Sequence, residues 1–410
     1  MPVDIRTVER SELPAWQAAL EVGFHKSSLA PEHVEPFSED FAKEVEWTRI
    51  QGAHDGGRFV ATFRSFATRL TVPGGEVAAG AITNATVSPT HRRRGLLSQM
   101  MARDLATAAE RGEPVAILIA SEWPIYGRYG FGPASDIVTY EIDALSAAFA
   151  HGGDGETRLV EPAELAGAAA AIYDAHRRST PGAIDRSDRW WERRVGIDVL
   201  RRKPPGTQRC VLALDERGAP AGLLVYHVDE NWDDWRPRAK LHVGDLFGTT
   251  PAAEARLWRF ACEVDLVATV SAEERSVDEP LPWLLRDARA VRQRLKTDFL
   301  WARLLDVPAA LAARRYLREG ELVLEVRDAA GFAAGRFALR GGPDGAQCAP
   351  TDAAADVALD VGALSAAYLG GRSLVTLGAA GWAEELRPGG LARADALLRW
   401  SVDPWCATMF

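Results

Sequence analysis

The first third of the chain alternates segments whose apolar residues follow the period of a strand with segments that follow the period of a helix. Two runs rich in β-branched and aromatic residues flank the turn Pro73-Gly74-Gly75, which predicts two strands bounded by turn residues. Apolar residues then recur at three- and four-residue spacing before the uninterrupted run VAILIA, which predicts a strand buried on both faces. The predicted elements are strands at 58–71, 76–87 and 115–120 and a helix at 94–111.

The middle of the chain repeats this order of elements. The glycine-rich stretch 151–155 indicates a linker, and an alanine-rich helix follows it. The pattern then predicts two paired strands, a third strand, a helix and a further strand. These elements are predicted at 164–178, 210–215, 221–228, 241–247, 252–264 and 266–271. The repeated order of strand, helix and strand predicts an internal duplication.

The last block begins near Trp301, and its pattern predicts a hairpin-rich sheet with two helices. Strands are predicted at 321–326 and 336–339 and helices at 361–369 and 391–399. The tail 401–410 ends on Phe410 with no charged trailer, which indicates that it packs against the folded protein.

Composition and charge exclude several classes of protein. The 410 residues are 47% hydrophobic and 26% charged, which is typical of a globular protein with two or three domains. A net charge of −9 opposes binding to nucleic acid, whose phosphates require a basic surface. The N-terminal segment carries charges throughout, and no apolar run approaches the roughly 18 residues of a spanning helix. We therefore expect neither a signal peptide nor a membrane span.

Cysteine and histidine spacing points to neither a disulfide framework nor a metal site. The four cysteines lie far apart and form no C-x-x-C pair, which fits a protein of the reducing cytoplasm. The eight histidines show no H-x-x-x-H spacing or similar ligand pattern. We expect no bound metal.

The stretch from Thr86 to Ser98 joins a predicted strand to a predicted helix through a basic turn that contains glycine. A helix N-terminus presents unpaired N–H groups and a positive dipole end, which together bind phosphate. Gly95 would let the backbone approach the ligand, and Arg92, Arg93 and Arg94 would add charge. An isolated R-x-x-G is more often a solvated basic turn, but the strand before it and the helix after it favour pyrophosphate binding.

This stretch resembles the acyl-coenzyme A signature Q/R-x-x-G-x-G/A of the GCN5-related N-acetyltransferase (GNAT) superfamily. Arg92, Gly95 and Leu97 carry the match, and Leu97 replaces the usual small residue. The wider pattern is similar to that of the enhanced intracellular survival (Eis) family over the whole chain. Its further motifs are ASE at 120–122, IYGRYGFG at 125–132, DVPAAL at 306–311 and CAPTDAAA at 348–355.

The resemblance implies an α/β protein with mixed sheets, in which tandem GNAT folds precede a sterol-carrier-protein-like domain. The implied domains are a catalytic GNAT domain at 1–145, a degenerate GNAT domain at 146–298 and the sterol-carrier-protein-like domain at 299–410. The second block has Gly248-Thr-Thr-Pro-Ala252 where the first has its arginine-glycine turn, so it is expected to hold no cofactor. The family assembles as a hexamer, which implies a homohexamer here.

The resemblance also implies that acetyl-coenzyme A (acetyl-CoA) binds to the first fold. The backbone at Ala85, Thr86 and Val87 would pair with the cofactor, and an N–H there would polarise the thioester carbonyl. Ser121 and Glu122 would contact the pantetheine arm. The remaining implied cofactor residues are Arg92, Arg93, Arg94, Gly95, Leu96, Leu97 and Ser98.

Acetyl transfer to an amine needs a proton for the departing thiolate and a group that takes one from the amine. The family's I-Y-G-R motif implies that Tyr126 is the acid, although a packing role is the alternative, and Tyr129 is expected to be structural. The implied base is the terminal carboxylate of Phe410, the alternative being a frayed end. Cys406 could in principle carry the acetyl group, but no histidine flanks it, and His91 is expected to be a solvated turn residue.

The implied acceptor is a primary amine, such as an aminoglycoside, a polyamine, an arylalkylamine or a lysine side chain. The acidic, aromatic loop 229–235 could attract polyamines, although such runs are more often solvated loops. Aminoglycoside-acetylating relatives have acidic residues where this chain has Lys26 and Met409, which argues against strong aminoglycoside activity. The competing functional class is a non-catalytic scaffold that binds a lipid or a partner through the last block.

Overall fold

The computed structural model describes residues 3–152, 155–197 and 208–410. Its strands are β1 (Asp4–Thr7), β2 (Ile50–Asp55), β3 (Arg58–Val72), β4 (Gly75–Val87), β5 (Val115–Ile119), β6 (Gly132–Pro133), β7 (Asp136–Asp143), β8 (Thr157–Val160), β9 (Arg209–Leu214), β10 (Pro220–Asp229), β11 (Trp232–Asp233), β12 (Arg236–Pro237), β13 (Ala239–Gly248), β14 (Val267–Arg275), β15 (Val291–Asp298), β16 (Leu300–Leu304), β17 (Gly320–Arg327), β18 (Gly335–Gly342), β19 (Gly345–Pro350), β20 (Val357–Asp360) and β21 (Ala383–Glu385). Its α-helices are α1 (Leu13–Gly23), α2 (Pro31–Ala42), α3 (Leu96–Glu110), α4 (Trp123–Tyr126), α5 (Pro162–Arg177), α6 (Asp188–Arg194), α7 (Pro251–Cys262), α8 (Leu281–Leu284), α9 (Val307–Ala312), α10 (Val361–Ala367), α11 (Leu374–Ala379) and α12 (Gly390–Leu398). Within these ranges no helix is long and apolar enough to cross a lipid bilayer.

The contacts divide the chain into two units. The first comprises 1–134, 300–400 and 409–410, and the second comprises 135–299 and 401–408. The linker predicted at 151–155 includes two residues, 153 and 154, that lie outside the described ranges.

In the first unit, a seven-stranded sheet has the order β1-β2-β3-β4-β5-β16-β6. The two predicted strands are confirmed as β3 and β4, which pair antiparallel, and the predicted helix and buried strand are confirmed as α3 and β5. Helix α3 packs Met100 and Leu105 into a core that includes Phe63 of β3. A second core forms around Trp16 and Phe41, through which helices α1 and α2 pack on the sheet. Helices therefore cover both faces of the sheet, with α3 on one face and α1 and α2 on the other.

The first unit also contains a five-stranded sheet with the order β19-β18-β17-β20-β21. Helix α10 of this part packs against β16 and β6 of the seven-stranded sheet. The approach is closest at Gly132, where an added Cβ would lie 2.0 Å from the carbonyl oxygen of Gly362. A side chain at position 132 would therefore force the two parts of this unit apart.

The second unit repeats the architecture of the first sheet. Its seven strands have the order β15-β7-β14-β13-β10-β9-β8, and β13 and β14 are parallel with α7 between them in sequence. In the first sheet the parallel pair is β4 and β5, with α3 between them. The order of elements that predicts a duplication therefore corresponds to two similar sheets.

Asp104 of α3 is a buried carboxyl group whose ionisation links stability to pH. Its side chain accepts a hydrogen bond of 2.7 Å from the Ser65 hydroxyl, and the residue is 5% exposed. Burial raises its pKa from 3.8 to about 6, and the Ser65 hydrogen bond only partly opposes this shift. Between about pH 4 and pH 6, Asp104 therefore keeps its proton in the folded protein but has lost it in the unfolded chain.

Replacing Asp104 with Asn should stabilise the protein at neutral pH. Because the folded pKa is raised, the stabilisation from the protonated carboxyl is present below about pH 4 and is lost as the pH rises to about 6. Above pH 6 the variant should gain about 1–3 kcal/mol, and near pH 4 the two proteins should match. Thermal unfolding from pH 4 to 8 measures this, with Ser65→Ala as the control that removes only the hydrogen bond. An equal gain at every pH would contradict the assignment.

Candidate active site

The chain enters α3 through an open helix N-terminus. Gly95 occupies the N-cap position with a φ of +76°, and no side chain caps the helix there. A Cβ at this position would have only Nε2 of Gln99 within 4 Å, at 3.7 Å. The first-turn N–H groups of this 15-residue helix thus face space that an anion can enter.

The basic turn before α3 is fixed to the end of β2. Nε2 of His91 donates to Oδ2 of Asp55 at 3.0 Å, and the Thr90 hydroxyl lies 2.8 Å from Nδ1 of the same ring. His91 is only 7% exposed, so the expectation of a solvated turn residue is wrong. The hydrogen bond from His91 lowers the pKa of Asp55. Nη1 of Arg94 lies 3.7 Å from the same carboxylate.

The predicted cofactor residues of this turn differ in exposure. Arg92 and Arg93 are exposed, and Arg93 has a left-handed φ of 63°. Leu96 is buried and Leu97 is half-buried, and both pack on the core beneath α3. Ser98 is exposed, and its hydroxyl lies 3.0 Å from the hydroxyl of Tyr129. The turn therefore presents guanidinium groups and a hydroxyl to solvent above an apolar support.

Beside this turn, β4 and β5 separate. Their parallel pairing runs from Ala79–Val115 to Ile82–Leu118, and in the described part of the chain β4 continues to Val87 with no strand partner on that side. Asn84 has a φ of 53°, and the pairing of β3 with β4 shifts register between Thr62 and Arg64, opposite Asn84. This bulge bends the strand just before Ala85, Thr86 and Val87. Their backbone therefore forms an open strand edge with which an extended ligand can pair.

Tyr126 lies at the same end of β5, in the short helix α4. Ser121 and Glu122 precede this helix and are exposed, whereas Tyr126 is 7% exposed and packs edge-on against Phe131. Burial raises the pKa of the phenol above its ordinary value of 10, although a hydrogen bond with the Ser121 side chain opposes the shift. The hydroxyl therefore holds its proton at neutral pH.

The turn that follows Tyr126 is supported by a buried arginine that the sequence did not reveal. Nε of Arg303 donates to the carbonyl oxygen of Tyr129 at 3.0 Å, and Nη2 donates to both oxygens of Asp328 at 2.9 and 2.7 Å. Gly130 has a φ of +83°, and a Cβ there would lie 2.8 Å from Cγ1 of Val361. Residues of the last block thus determine the position of the tyrosine turn. The only sequence signal is an arginine within the apolar strand 300–304.

On the face of the sheet that α1 and α2 cover, the end of β4 meets the end of α1. A Cβ on Gly23 would lie 2.4 Å from the Thr86 side chain, and the Thr86 hydroxyl lies 2.7 Å from that of Thr62. The guanidinium of Arg64 lies over the ring of Phe66, 5.7 Å from its centroid. Lys26, which follows α1, is exposed.

Phe410 packs against Phe66 of strand β3. Its ring lies 5.5 Å from the ring of Phe66, with the two planes at 88°. The last residue is half-buried, so it does not fray as the alternative would have it. Met409, in contrast, is 53% exposed. The end of the chain is thus held beside β3.

In the second unit, aromatic and cationic side chains hold the segment 401–408. Trp405 is 4% exposed, and its Nε1 donates to the carbonyl oxygen of Glu274 at 2.7 Å. The Arg186 guanidinium donates to the Thr408 hydroxyl at 2.8 Å and lies over the Trp190 ring at 3.7 Å. The segment that precedes Met409 is therefore anchored rather than loose.

The Cys406 thiol lies within this anchored segment. It is completely buried, and burial raises its pKa to about 12. A thiol with that pKa is protonated at neutral pH and is a poor nucleophile. An acetyl-cysteine intermediate at this position is therefore disfavoured.

The second repeat differs at the position of the phosphate turn. Thr250 caps α7 by accepting from the N–H of Ala253 at 3.2 Å, and Glu254 lies in the first turn. Nη2 of Arg275 donates to Glu254 at 3.0 Å, while burial and the nearby Glu279 raise the Glu254 pKa to about 7. A side-chain cap and an acidic group therefore close the N-terminus of α7, whereas the N-terminus of α3 has no side-chain cap.

Comparison with known proteins identifies the family of the chain. Family models for acetyltransferase (GNAT) domains match residues 4–134 and 182–304, and a model for a sterol carrier protein domain matches 307–407. The chain is 40% identical to the N-acetyltransferase Eis of Mycobacterium tuberculosis over 80% of each chain. It belongs to the Eis family of GNAT N-acetyltransferases.

Other members of the family match over the full length. An uncharacterized N-acetyltransferase of Streptomyces avermitilis is 44% identical over 100% of this chain and 99% of its own. The crystal structure of Eis1 from Mycobacterium abscessus superposes with a TM-score of 0.85 at 31% identity, covering 99% of this chain and 100% of that one. The predicted family and the fold of two GNAT domains followed by a sterol-carrier-protein-like domain are confirmed. As a member, the chain is an acetyl-CoA-dependent acyltransferase.

Proposed function

We propose that the protein transfers the acetyl group of acetyl-CoA directly to a primary amine, with Tyr126 as the general acid and the Phe410 carboxylate as the general base. The observation that carries this proposal is the open edge of β4 between an uncapped helix N-terminus and a buried phenol. One extended thioester can occupy these three features together, with phosphate at one end and sulfur at the other.

The cofactor would bind by its backbone and its charge. The pyrophosphate would accept from the first-turn N–H groups of α3, and Arg92 and Arg93, which are exposed, would neutralise it. The pantetheine arm would pair with Ala85 to Val87 as an added strand, and a main-chain N–H there would polarise the thioester carbonyl. Ser121 and Glu122 would flank the arm, and the second repeat would hold no cofactor because its helix end is capped.

The acid and the base would work from different elements. The Tyr126 phenol stays protonated in its buried position, so it can donate to the thiolate as the C–S bond breaks. An α-carboxylate normally titrates near 3.5, so Phe410 would orient the ammonium and relay its proton rather than hold it. The acceptor amine would approach over the face that carries Thr86, Phe66 and Phe410.

A thiol-release assay tests the activity and the acceptor class together. Purified protein with acetyl-CoA is offered aminoglycosides, polyamines, arylalkylamines and lysine-bearing peptides, and the Tyr126→Phe variant serves as the matched control. We expect amine-dependent release of coenzyme A with at least one class, and a weak aminoglycoside rate because Lys26 and Met409 are not acidic. Release that does not depend on any amine would contradict transfer to a primary amine.

Two changes at the end of the chain would move the Phe410 carboxylate. Deleting Phe410 or adding one glycine after it shifts the carboxylate by roughly 3.5 Å, and misplacement on that scale costs on the order of 10²-fold in kcat. Phe410→Leu is the matched control, since it removes the ring contact with Phe66 but leaves the carboxylate in register. Steady-state turnover of the four proteins, with acetyl-CoA affinity measured alongside, makes the comparison. If the shifted proteins turn over like the native one, another base must act.

We further propose a homohexamer and a cytoplasmic location. Two features support the last point: all four cysteines are free, and three of them are buried. Size-exclusion chromatography with light scattering tests the hexamer directly.

The alternative of a lipid-binding scaffold has one observation in its favour. A groove of about 330 Å³ lies in the first unit, lined by apolar residues such as Val307, Phe332 and Phe337. Glu113 also lines it, and this carboxylate forms a buried ion pair with Arg49. Native mass spectrometry of the purified protein would detect a retained lipid. Retained lipid without coenzyme A binding would favour the scaffold.

A further inference from the structure

Two histidines of the second unit meet across neighbouring strands. In the antiparallel pair β10 and β13, His227 lies directly opposite His242, and the two rings stack with centroids 4.7 Å apart and planes at 7°. Asp229 follows His227 by two residues on β10, so it projects from the same face of the sheet. Its Oδ2 lies 3.1 Å from Nε2 of His242, and its Oδ1 lies 4.0 Å from Nε2 of His227.

These three side chains present one ligand atom each to a common point. The three atoms all lie within 4.8 Å of one another. Among the described residues, Nε2 of His242 has no hydrogen-bond partner and is shielded from solvent, although Oδ2 of Asp229 lies close to it. A buried ring nitrogen without a partner costs free energy unless something else binds it. The side chains of His227 and His242 are 29% and 25% exposed, and that of Asp229 is 68% exposed, so an ion can reach the group from solvent.

We infer that His227, His242 and Asp229 form a binding site for a divalent transition-metal ion, and we assign it to Zn²⁺. Two imidazoles and a carboxylate are ligands that this ion favours, with water completing a tetrahedron. Bonds of about 2.0–2.1 Å in that geometry place ligand atoms about 3.3 Å apart. The three ligand atoms already lie within 4.8 Å of one another, so they would have to approach by at most about 1.5 Å, which side-chain rotation can supply.

The neighbouring charges do not block the site. Lys240 stands opposite Asp229 on β13, but its Nζ lies 4.0 Å from Oε2 of Glu141. The Lys240 ammonium is therefore directed toward Glu141 of β7. The carboxylate of Asp229 faces the two histidine rings. A bound Zn²⁺ would replace the stacked contact of two rings with two metal–nitrogen bonds.

The position suggests what the ion would do. The site joins β10 to β13 at the base of their connection, residues 230–238, which contains the short hairpin β11–β12. Asp234 and Trp235 have left-handed φ values of 46° and 62°, and Trp235 is 96% exposed. A metal at the base would restrain this loop. The sequence spacing did not reveal the site because residues 15 positions apart meet only through strand pairing.

Metal titration of the full-length protein tests the site. The protein is stripped with a chelating resin and titrated with ZnCl₂ by calorimetry, with His33→Gln as the matched control because His33 is an exposed histidine elsewhere. We expect one Zn²⁺ per chain for the native protein and for His33→Gln. His227→Gln and His242→Gln should each weaken the affinity by about tenfold or more. Zn²⁺ should also raise the melting temperature of the native protein but not of these two variants.

A Co²⁺ titration identifies the ligands. Nitrogen and oxygen ligation should give visible d–d bands without the near-ultraviolet thiolate band that any of the four cysteines would produce. Asp229→Asn is a second variant that should fold normally, since its side chain is mostly exposed, and it should weaken binding in the same sense. Native-like binding by His227→Gln and His242→Gln, or a thiolate band in the native protein, would overturn the assignment.

Discussion

Tyr126→Phe should lower kcat by about 10²- to 10⁴-fold while the affinity for acetyl-CoA stays nearly unchanged. The substitution removes one oxygen and keeps the ring that packs edge-on against Phe131, so the fold should persist. In the proposed mechanism the lost hydroxyl protonates the departing thiolate. The loss should therefore appear in the chemical step and not in cofactor binding.

Two comparisons separate an acid from a packing residue. Tyr129→Phe removes a hydroxyl that contacts Ser98 and should cost much less than Tyr126→Phe, since that hydroxyl ties the turn to α3. An acetyl thioester whose thiol has a low pKa needs little protonation, so the defect of Tyr126→Phe should shrink with that donor. Single-turnover kinetics measure both. An equal defect with both donors would assign Tyr126 a structural role.

Gly95→Asp should weaken acetyl-CoA binding by several kcal/mol, which is at least about 10²-fold in Kd. The new carboxylate would stand at the helix N-terminus, where it opposes the phosphates and competes for the same N–H groups. The space around Gly95 is open, with Nε2 of Gln99 at 3.7 Å from a Cβ as its nearest neighbour. The expected loss thus comes from charge and conformation and not from a collision within the protein.

Gly95→Asn is the matched control for this change. Asn has the size of Asp without its charge and tolerates the left-handed φ of +76° better than most residues. Calorimetry should give an intermediate loss for Asn and a larger loss for Asp, and the gap between them should narrow at high salt. If Asp and Asn bind acetyl-CoA equally well, the pyrophosphate lies elsewhere.

Local patterns predicted the elements that carry the cofactor site. The strand period gave β3 and β4, and the helix period gave α3, because each of these segments buries one continuous face. Helix α2 was missed, since Pro36 lies inside it and few of its residues are buried. The positions of β7 and β16 were also beyond the pattern, because pairing partners far apart in sequence leave no local trace.

The residues of the candidate site likewise fall into those that the sequence predicted and those that it did not. Gly95 and Tyr126 were predicted because short motifs carry them. Arg303, Arg186 and the bulge at Asn84 were not predicted, because each depends on neighbours that only the fold supplies. The prediction for His91 was wrong for the same reason, since its partner Asp55 lies at the end of β2, far away in sequence.

The way in which two segments of the chain supply strands to both sheets has a consequence for folding during synthesis. Segments 132–143 and 291–304 each contribute one strand to both seven-stranded sheets. Strand β16 lies between β5 and β6, yet it leaves the ribosome only after the whole of 135–299 has been synthesised. Until then the apolar edge of β5 stays unpaired and is open to wrong partners. The first sheet therefore stays incomplete during synthesis until β16 has been made. A fragment that ends near residue 145 would lack β16, and the edge of β5 would remain exposed.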